Sequence, residues 1–269
     1  MSIPKAHHYL PKWYLARWAK DGQVWEFRRR GPTQALVKKR VAPRGTAYEP
    51  NLYSPSLETD FLQIIDDRGA KALSMAEQNK SIAGPSDKGG LVQFVVSMIH
   101  RSPGRINFLQ KRLEDDLSNN ELFSDVETDY FRNYALEVFA DLVGSDQING
   151  KLFDFKIFNF LVGQGGFDLL TSDRPVLISN GLHHRSAFVL MPSSPSTFLV
   201  LAAEKETAIY FASQKPKVLS KAINDAVVRQ AEGLVIANTD QHYAFVDNRL
   251  RRADADSTLE TSELVKWQF

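Results

Sequence analysis

Apolar positions at helical spacing dominate the middle of the chain. They recur at three- and four-residue steps in three stretches, which cover residues 57–76, 91–117 and 130–142. Ser56 precedes the first stretch as a candidate N-cap, and Pro103-Gly104 interrupts the second. The pattern predicts an α-helical block over residues 56–145 with a kink or break at Pro103-Gly104.

Shorter apolar runs, bounded by Pro, Gly, Ser or Asn, lie on both sides of this block. On the N-terminal side, residues 23–28 and 34–41 predict a β-hairpin with a long loop. On the C-terminal side, strands are predicted at 152–160, 167–171, 176–178, 187–191 and 198–202. Residues 218–235 return to helical spacing and predict a late helix.

This order of elements favours an α+β fold over a parallel doubly wound sheet. We expect an N-terminal hairpin segment, a central α-helical block and a C-terminal, mostly antiparallel sheet with a late helix. The expected organisation is a single compact α+β domain over residues 1–250, followed by a charged tail at 251–269. Its parts are a basic, aromatic β-hairpin head at 1–55, the helical block at 56–145 and a mostly β part at 150–247 that contains helix 218–235.

Composition excludes some kinds of chemistry. The 269-residue chain has no cysteine, which excludes disulfides, thiolate metal sites and cysteine nucleophiles. No apolar run approaches the roughly 18 to 20 residues that span a bilayer. The N-terminus also lacks the apolar segment of a secretory signal. We therefore expect a cytoplasmic protein with no membrane association.

The net charge of +1 conceals an uneven distribution. Residues 1–44 carry 11 Lys and Arg against two Asp and Glu, and the rest of the chain carries 22 against 30. A basic, aromatic head on an acidic body can attract phosphate-bearing partners. Alternatively, the head can dock on the acidic body of the same molecule.

Most of this positive charge falls on the two predicted hairpin strands. The basic residues are Arg28, Arg29, Arg30, Lys38, Lys39 and Arg40, and we call them the basic ribbon. Such a ribbon can follow a nucleic-acid backbone. Charge on an exposed strand also prevents edge-to-edge aggregation, so both interpretations stay open.

Several short segments resemble, in their order and spacing, the bacterial domain-of-unknown-function family numbered 4238. They are His8-Tyr9-Leu10-Pro11, Tyr14-Leu15, Trp18, Glu58, Arg101-Ser102-Pro103, Leu170 to Val176, Pro192-Ser193-Ser194-Pro195 and Ile223-Asn224. The resemblance implies a bacterial protein, a shared fold and a set of positions to examine. It supplies no established activity.

Three residues at these positions are candidates for acid, base or metal chemistry. The resemblance selects His8 rather than His7, and an imidazole can act as a base or a metal ligand or can hold its segment by a backbone hydrogen bond. Asp173 lies in a polar burst between two predicted strands, where it can bind a metal or only form a turn. Glu58 lies in the first turn of a predicted helix, where a carboxylate also stabilises the helix dipole.

Arg101 and Arg105 flank the Pro103-Gly104 break, with His100 alongside. A helix interrupted there can direct two guanidinium groups at a phosphate or a carboxylate. The alternative is that both arginines form structural ion pairs with acidic residues of the helical block.

These residue types suit phosphoryl chemistry. The leading hypothesis is a phosphodiester-cleaving enzyme, a nuclease, with His8 as base or ligand, Glu58 and Asp173 as acid or metal groups, and Arg101 as a phosphate clamp. A divalent cation such as Mg²⁺ or Mn²⁺ is a possible cofactor. The alternative is a non-catalytic module that binds nucleic acid or a protein partner in a bacterial multi-protein system. Convergence of His8, Glu58 and Asp173 within about 6 to 8 Å in a cleft would favour the enzyme, and scatter of the three would count against it. An open basic ribbon with exposed aromatic residues would favour nucleic-acid binding, and pairing of the ribbon with carboxylates of the body would weaken that interpretation.

Overall fold

The computed structural model describes residues 6–29, 34–78, 82, 84–117, 128–179 and 181–250. The strands are β1 (Ala6–His8), β2 (Val24–Arg28), β3 (Val37–Val41), β4 (Tyr48–Pro50), β5 (Lys156–Leu161), β6 (Thr171–Ser172), β7 (Leu177–Ile178), β8 (Phe188–Pro192), β9 (Thr197–Ala202) and β10 (Leu234–Ala237). The helices are α1 (Lys12–Ala16), α2 (Gln63–Glu77), α3 (Pro85–His100), α4 (Pro103–Leu117), α5 (Thr128–Gly144), α6 (Asp146–Phe153), α7 (Lys205–Ser213), α8 (Pro216–Gln230) and α9 (Tyr243–Asp247). Helices and antiparallel sheets in this order confirm the predicted α+β fold.

The aromatic opening segment is part of the hydrophobic core. Tyr14 and Trp18 are fully buried. The Tyr14 hydroxyl donates to the carbonyl of Pro192, and the Trp18 indole N–H donates to the carbonyl of Leu169, each at 2.8 Å. Buried aromatic side chains with satisfied polar atoms fix the N-terminal segment against the C-terminal part of the chain.

The predicted hairpin forms one edge of a four-stranded sheet with the order β3-β2-β10-β6. Its register places Val24 opposite Val41 and Trp25 opposite Arg40. β10 pairs antiparallel with both β2 and β6. The hairpin is therefore joined through β10 to the C-terminal part of the chain.

The second four-stranded sheet has the order β5-β9-β8-β7, and every strand pair in it is antiparallel. All residues of β8 and β9 are buried. Phe188 and Phe198 pack with Phe211 of α7 and Ile223 of α8, whereas Leu199 belongs to the cluster that includes the helical block. Burial of both faces explains why these strands are continuous apolar runs rather than alternating ones.

The helical block is held together by close packing of α2 on α3. A Cβ added to Gly69 would lie 2.4 Å from the Phe94 ring, so only glycine allows this approach. The predicted break falls between α3 and α4, where Pro103 occupies the first turn of α4. Ser56 is not the N-cap, because it already has helical dihedrals. The Ser54 hydroxyl instead accepts the N–H of Leu57, which begins a π-helical segment at Leu57–Leu62.

The late helix ends earlier than the apolar spacing predicts. α8 stops at Gln230, and Ala231 is extended, so the end of the predicted range 218–235 is a turn followed by β10. β10 is buried along its whole length. From the sequence alone, the short apolar run Leu234–Ala237 is compatible with a helix or with a strand. It forms a strand because it pairs with β2 and β6. Similarly, the first residues of the predicted strand 152–160 belong to the end of α6.

Candidate functional site

Two polar clusters meet where α3 ends and α4 begins. The first, which we call the His8 cluster, consists of His8, Lys12, Glu58, Asp66 and Arg101. The second, which we call the Asp173 cluster, consists of Tyr9, His100, Ser102, Arg105, Asp173, Arg174 and Glu232. The adjacent residues His8 and Tyr9 go to different clusters, and so do Arg101 and Ser102. The clusters are therefore neighbours.

Arg101 is an ion-paired residue at the centre of the His8 cluster. Its side chain is only 2% exposed and binds both carboxylate oxygens of Asp66, at 2.6 and 3.2 Å. It also donates to the backbone carbonyl of His8 at 3.0 Å, and its own carbonyl accepts the Tyr53 hydroxyl. Burial opposes the charge of Arg101, but Asp66 and Tyr53 raise its pKa above the ordinary value. This geometry matches the ion-pair alternative for Arg101.

Glu58 and His8 lie in the field of Arg101 and Lys12. Both are partly buried, and neither the Glu58 Oε2 nor the His8 Nε2 has a hydrogen-bond partner among the described residues. Burial raises the pKa of Glu58, which Arg101 and His7 oppose. Burial and Lys12 lower the pKa of His8, so its imidazole is neutral at physiological pH. His7, on the other side of β1, accepts the Tyr53 N–H through its Nδ1 at 2.9 Å.

Asp173 fixes the turn between α8 and β10. Its carboxylate accepts the backbone N–H groups of Glu232, Gly233 and Leu234 at 2.9, 2.8 and 2.9 Å. The turn approaches β2 so closely that a Cβ on Gly233 would lie 2.9 Å from the carbonyl of Arg29. Burial and the Glu232 carboxylate raise the pKa of Asp173 to about 7, against the three N–H donors that favour its charge.

Glu232 lies at the N-terminus of α4. One carboxylate oxygen accepts the Ser102 hydroxyl at 3.1 Å, and the other accepts the Gly104 N–H at 3.2 Å. The positive end of the helix dipole and Arg174, whose Nε is 4.0 Å away, stabilise its charge. Burial nevertheless raises the pKa of Glu232. Glu232 and Asp173 therefore form a carboxyl pair in which both groups hold protons more tightly than usual.

Arg105 and Arg174 place two guanidinium groups beside this carboxyl pair. Burial and the charge of Arg174 lower the pKa of Arg105 to about 10, and Glu232 only partly compensates. The Arg105 Nε is buried and has no hydrogen-bond partner among the described residues. Burial and the two arginines also lower the pKa of His100 to about 4, which leaves its imidazole neutral near pH 7.

Most of the basic ribbon is paired with carboxylates. Arg29 binds Asp247, Lys38 binds Asp240, Lys39 binds Glu26 and Arg40 binds Asp21. Arg28 also binds Glu26 and donates to the buried Tyr9 hydroxyl, which places it at the border of the Asp173 cluster. Arg30 lies outside the described residues. Only Asp240 and Asp247 among these partners belong to the C-terminal part of the chain, and Lys38, Lys39 and Arg40 remain exposed on β3. Binding of nucleic acid by the ribbon stays a prediction.

The candidate trio from the sequence is divided between the two clusters. No hydrogen bond or ion pair joins any two of His8, Glu58 and Asp173 in the described part of the chain. Within the same part, no three His, Asp or Glu side chains are arranged to hold a metal ion. The described helices include none that is both long and apolar enough to cross a membrane.

Glu232 and Arg174 are not among the site residues predicted from the sequence. Arg174 directly follows Asp173 and belongs to the same polar burst. Glu232 falls inside the predicted helix 218–235. Gly233, near the end of that helical stripe, is the one local signal for an earlier end, as a candidate C-cap.

The fold and the polar junction define an α+β protein in which a buried carboxyl pair lies beside two arginines at a helix N-terminus. The chain belongs to the family described as "Protein of unknown function (DUF4238)", which matches residues 6–241. Every residue of both clusters lies within the matched region. No curated protein and no solved structure matches the chain.

Proposed function

We propose that the protein is a phosphodiester-cleaving enzyme of the bacterial cytoplasm, acting on nucleic acid or a nucleotide-like substrate at the Asp173 cluster. One observation supports this most strongly: Arg105 and Arg174 lie together, and Arg105 has a buried Nε without a partner. Guanidinium groups in this arrangement suit a phosphate oxygen. A cytoplasmic location fits a chain without cysteine.

The local charge balance supports an anionic ligand. Arg105 and Arg174 lie beside a carboxyl pair whose pKa values are raised by burial, to about 7 for Asp173. Protonation of either carboxyl leaves the cluster with excess positive charge, and the charge of Arg174 disfavours the charged form of Arg105. A bound phosphate would relieve that repulsion.

The same cluster holds groups for acid–base chemistry. In hydrolysis, a water oxygen bonds to phosphorus and the ester P–O bond breaks. Glu232, whose pKa is raised by burial, is the group that we propose gives a proton to the leaving oxygen, and the neutral imidazole of His100 accepts the proton of the attacking water. Asp173 acts through Glu232 by holding the 232–234 backbone in place. This proposed site differs from the predicted trio, because it uses Asp173 alone of the three. His8 and Glu58 stay predicted site residues, without a step assigned to them.

The test is cleavage of labelled single- and double-stranded DNA and RNA by purified protein in Mg²⁺, Mn²⁺ or EDTA. We expect Arg105→Gln and Glu232→Gln to lower the rate by at least about 100-fold, since positioned acids and charge-stabilising donors contribute on this scale. The control is Arg112→Gln on the exposed side of the same helix, where Arg112 pairs with the exposed Asp116. Circular dichroism and the melting temperature check that each variant folds.

Intact nucleic acid under every condition would discard the nuclease proposal. A retarded but uncut band would instead favour the non-catalytic module that binds nucleic acid. Equal loss of cleavage in Arg112→Gln would show that general surface charge, rather than the Asp173 cluster, carries the activity.

A further inference from the structure

A cavity lies near the N-terminal end of α3, opposite to the end that carries the Asp173 cluster. It has a volume of about 400 Å³ and is formed by residues of α2, α3 and α6. Gly89 of α3 lines this cavity. Arg101 follows Gly89 by twelve residues, and a helical rise of about 1.5 Å per residue separates the two by roughly 18 Å. The volume is in the range of small-molecule sites, which is roughly 300 to 1,000 Å³. Binding of a ligand in this cavity is independent of phosphodiester cleavage at the Asp173 cluster.

Two glycines in the wall of the cavity have no packing reason to be glycine. A Cβ added to Gly89 or Gly150 would meet no atom within 4 Å, and neither residue has a positive φ. By contrast, a Cβ on Gly90 would lie 2.8 Å from the Cβ of Arg68, so packing explains that glycine. A helical glycine costs about 1 kcal/mol relative to alanine. At Gly89 and Gly150 this cost leaves part of the wall flat and without side chains.

The remaining wall offers one aromatic ring and a small set of polar groups. Phe153 lines the cavity and carries the Lys88 ammonium 4.8 Å from its ring centroid. Gln93 supplies an amide, which can pair with two atoms of a base edge. Arg68 and Asp146 contribute opposite charges to the lining, so the lining side chains themselves carry no net charge.

We propose that this cavity binds a neutral, planar, polar ligand of the nucleobase class, such as a free nucleoside. The ring stacks against Phe153, the glycine wall admits its flat face, and the Gln93 amide contacts its edge. Aromatic stacking accepts any base, with a contribution of about 1 to 3 kcal/mol per base. Selectivity between bases then comes from Gln93.

The experiment is isothermal titration calorimetry of the full chain with adenosine, guanosine, cytidine and uridine. We expect at least one nucleoside to bind the wild type. We expect Gly150→Leu, which fills the cavity, to weaken that binding by at least tenfold. The matched control is Gly144→Leu at the end of α5, where a Cβ also meets no atom within 4 Å and the residue does not line the cavity. This control should bind as the wild type does.

Gln93→Ala is the second variant, because alanine favours the helix and the change removes the amide together with one methylene group. This substitution should weaken binding of the preferred nucleoside by at least about fivefold. It should also make the dissociation constants of the nucleosides more alike. Absence of binding by the wild type to all of the nucleosides would overturn the proposal. Binding that is unchanged in both Gly150→Leu and Gln93→Ala would overturn it equally. Because no nucleic-acid cleavage is measured, failure here leaves the nuclease test unaffected.

Discussion

Asp173 and Glu232 are neighbouring carboxyl groups with different hydrogen-bond partners. Asp173 accepts only backbone N–H groups, from Glu232, Gly233 and Leu234. Glu232 accepts the Ser102 hydroxyl and the Gly104 N–H, and it remains partly exposed. At the scale of single residues, Asp173 therefore holds the local structure, and Glu232 is the more exposed of the two carboxyl groups.

Asp173→Asn should lower the free energy of unfolding by about 2 to 3 kcal/mol, as expected for hydrogen bonds to a charged group. The asparagine amide has one acceptor oxygen, so its NH₂ group would face a backbone N–H. Urea denaturation at pH 8 measures the change. Asp168→Asn is the control, because Asp168 is exposed and, in the described part of the chain, its carboxylate accepts a hydrogen bond from the Asn238 side chain instead of from backbone N–H groups. An equal, small effect of both substitutions would contradict the structural role of Asp173.

His100 should titrate with a pKa of about 4 in an NMR titration, below the ordinary 6.5, because it is buried beside Arg105 and Arg174. Arg105→Gln should raise that pKa towards 6.5. Since protonation is harder in the folded state, the stability that His100 contributes is full above pH 6.5. It is lost as the pH falls through 6.5 towards about 4. A wild-type imidazole that titrates near 6.5 would contradict the proximity of the two arginines.

At the scale of elements, the long helices could be predicted and the short strands only in part. The apolar period of residues 56–145 is long enough to identify helices, and Pro103 marks the break between α3 and α4. β10 could not be separated from α8, because Leu234 to Ala237 is a buried apolar run that continues a helical stripe. Only its partners in the sheet, β2 and β6, identify it as a strand, and that information is tertiary.

Alanine substitution should change the stability of the protein in opposite directions at two glycines of the helical block, Gly69 and Gly89. Gly69→Ala should destabilise the protein by about 1 to 3 kcal/mol, because the new methyl group would overlap the Phe94 ring. Gly89→Ala should stabilise it by up to about 1 kcal/mol, because the position is open and alanine favours helix. Thermal and urea denaturation measure both. Changes of the same sign and size would contradict the packing described for Gly69.

At the scale of the whole molecule, part of the positive charge of the head is bound by the C-terminal part. Arg29 pairs with Asp247 and Lys38 with Asp240, whereas Arg40 pairs with Asp21 of the head itself. The charge asymmetry was visible in the sequence, but the choice between self-docking and partner binding was not. The candidate site has the same limit, since Glu232 reaches Ser102 only through the fold.

Arg29→Ala should lower the free energy of unfolding by about 2 to 3 kcal/mol, because its buried guanidinium binds the Asp247 carboxylate and the carbonyls of Asp247 and Gln34. Lys38→Ala should have little effect, since its ion pair with Asp240 is solvent-exposed. Urea denaturation of both variants compares a buried attachment with an exposed one. A larger loss of unfolding free energy in Lys38→Ala than in Arg29→Ala would show that the exposed ion pair, and not Arg29, holds the hairpin against the C-terminal part of the chain.

In the proposed enzyme, Arg105 and Arg174 together bind a phosphate group of the substrate at the Asp173 cluster. Fluorescence anisotropy with a labelled single-stranded oligonucleotide in EDTA tests it directly, by comparing the dissociation constants of the wild type, Arg105→Gln and Arg112→Gln. We predict that Arg105→Gln weakens binding at least tenfold, about 1.4 kcal/mol, while Arg112→Gln changes it less than about twofold because an exposed charge contributes little. Equal weakening in both variants, or a wild type that does not bind, would contradict the account.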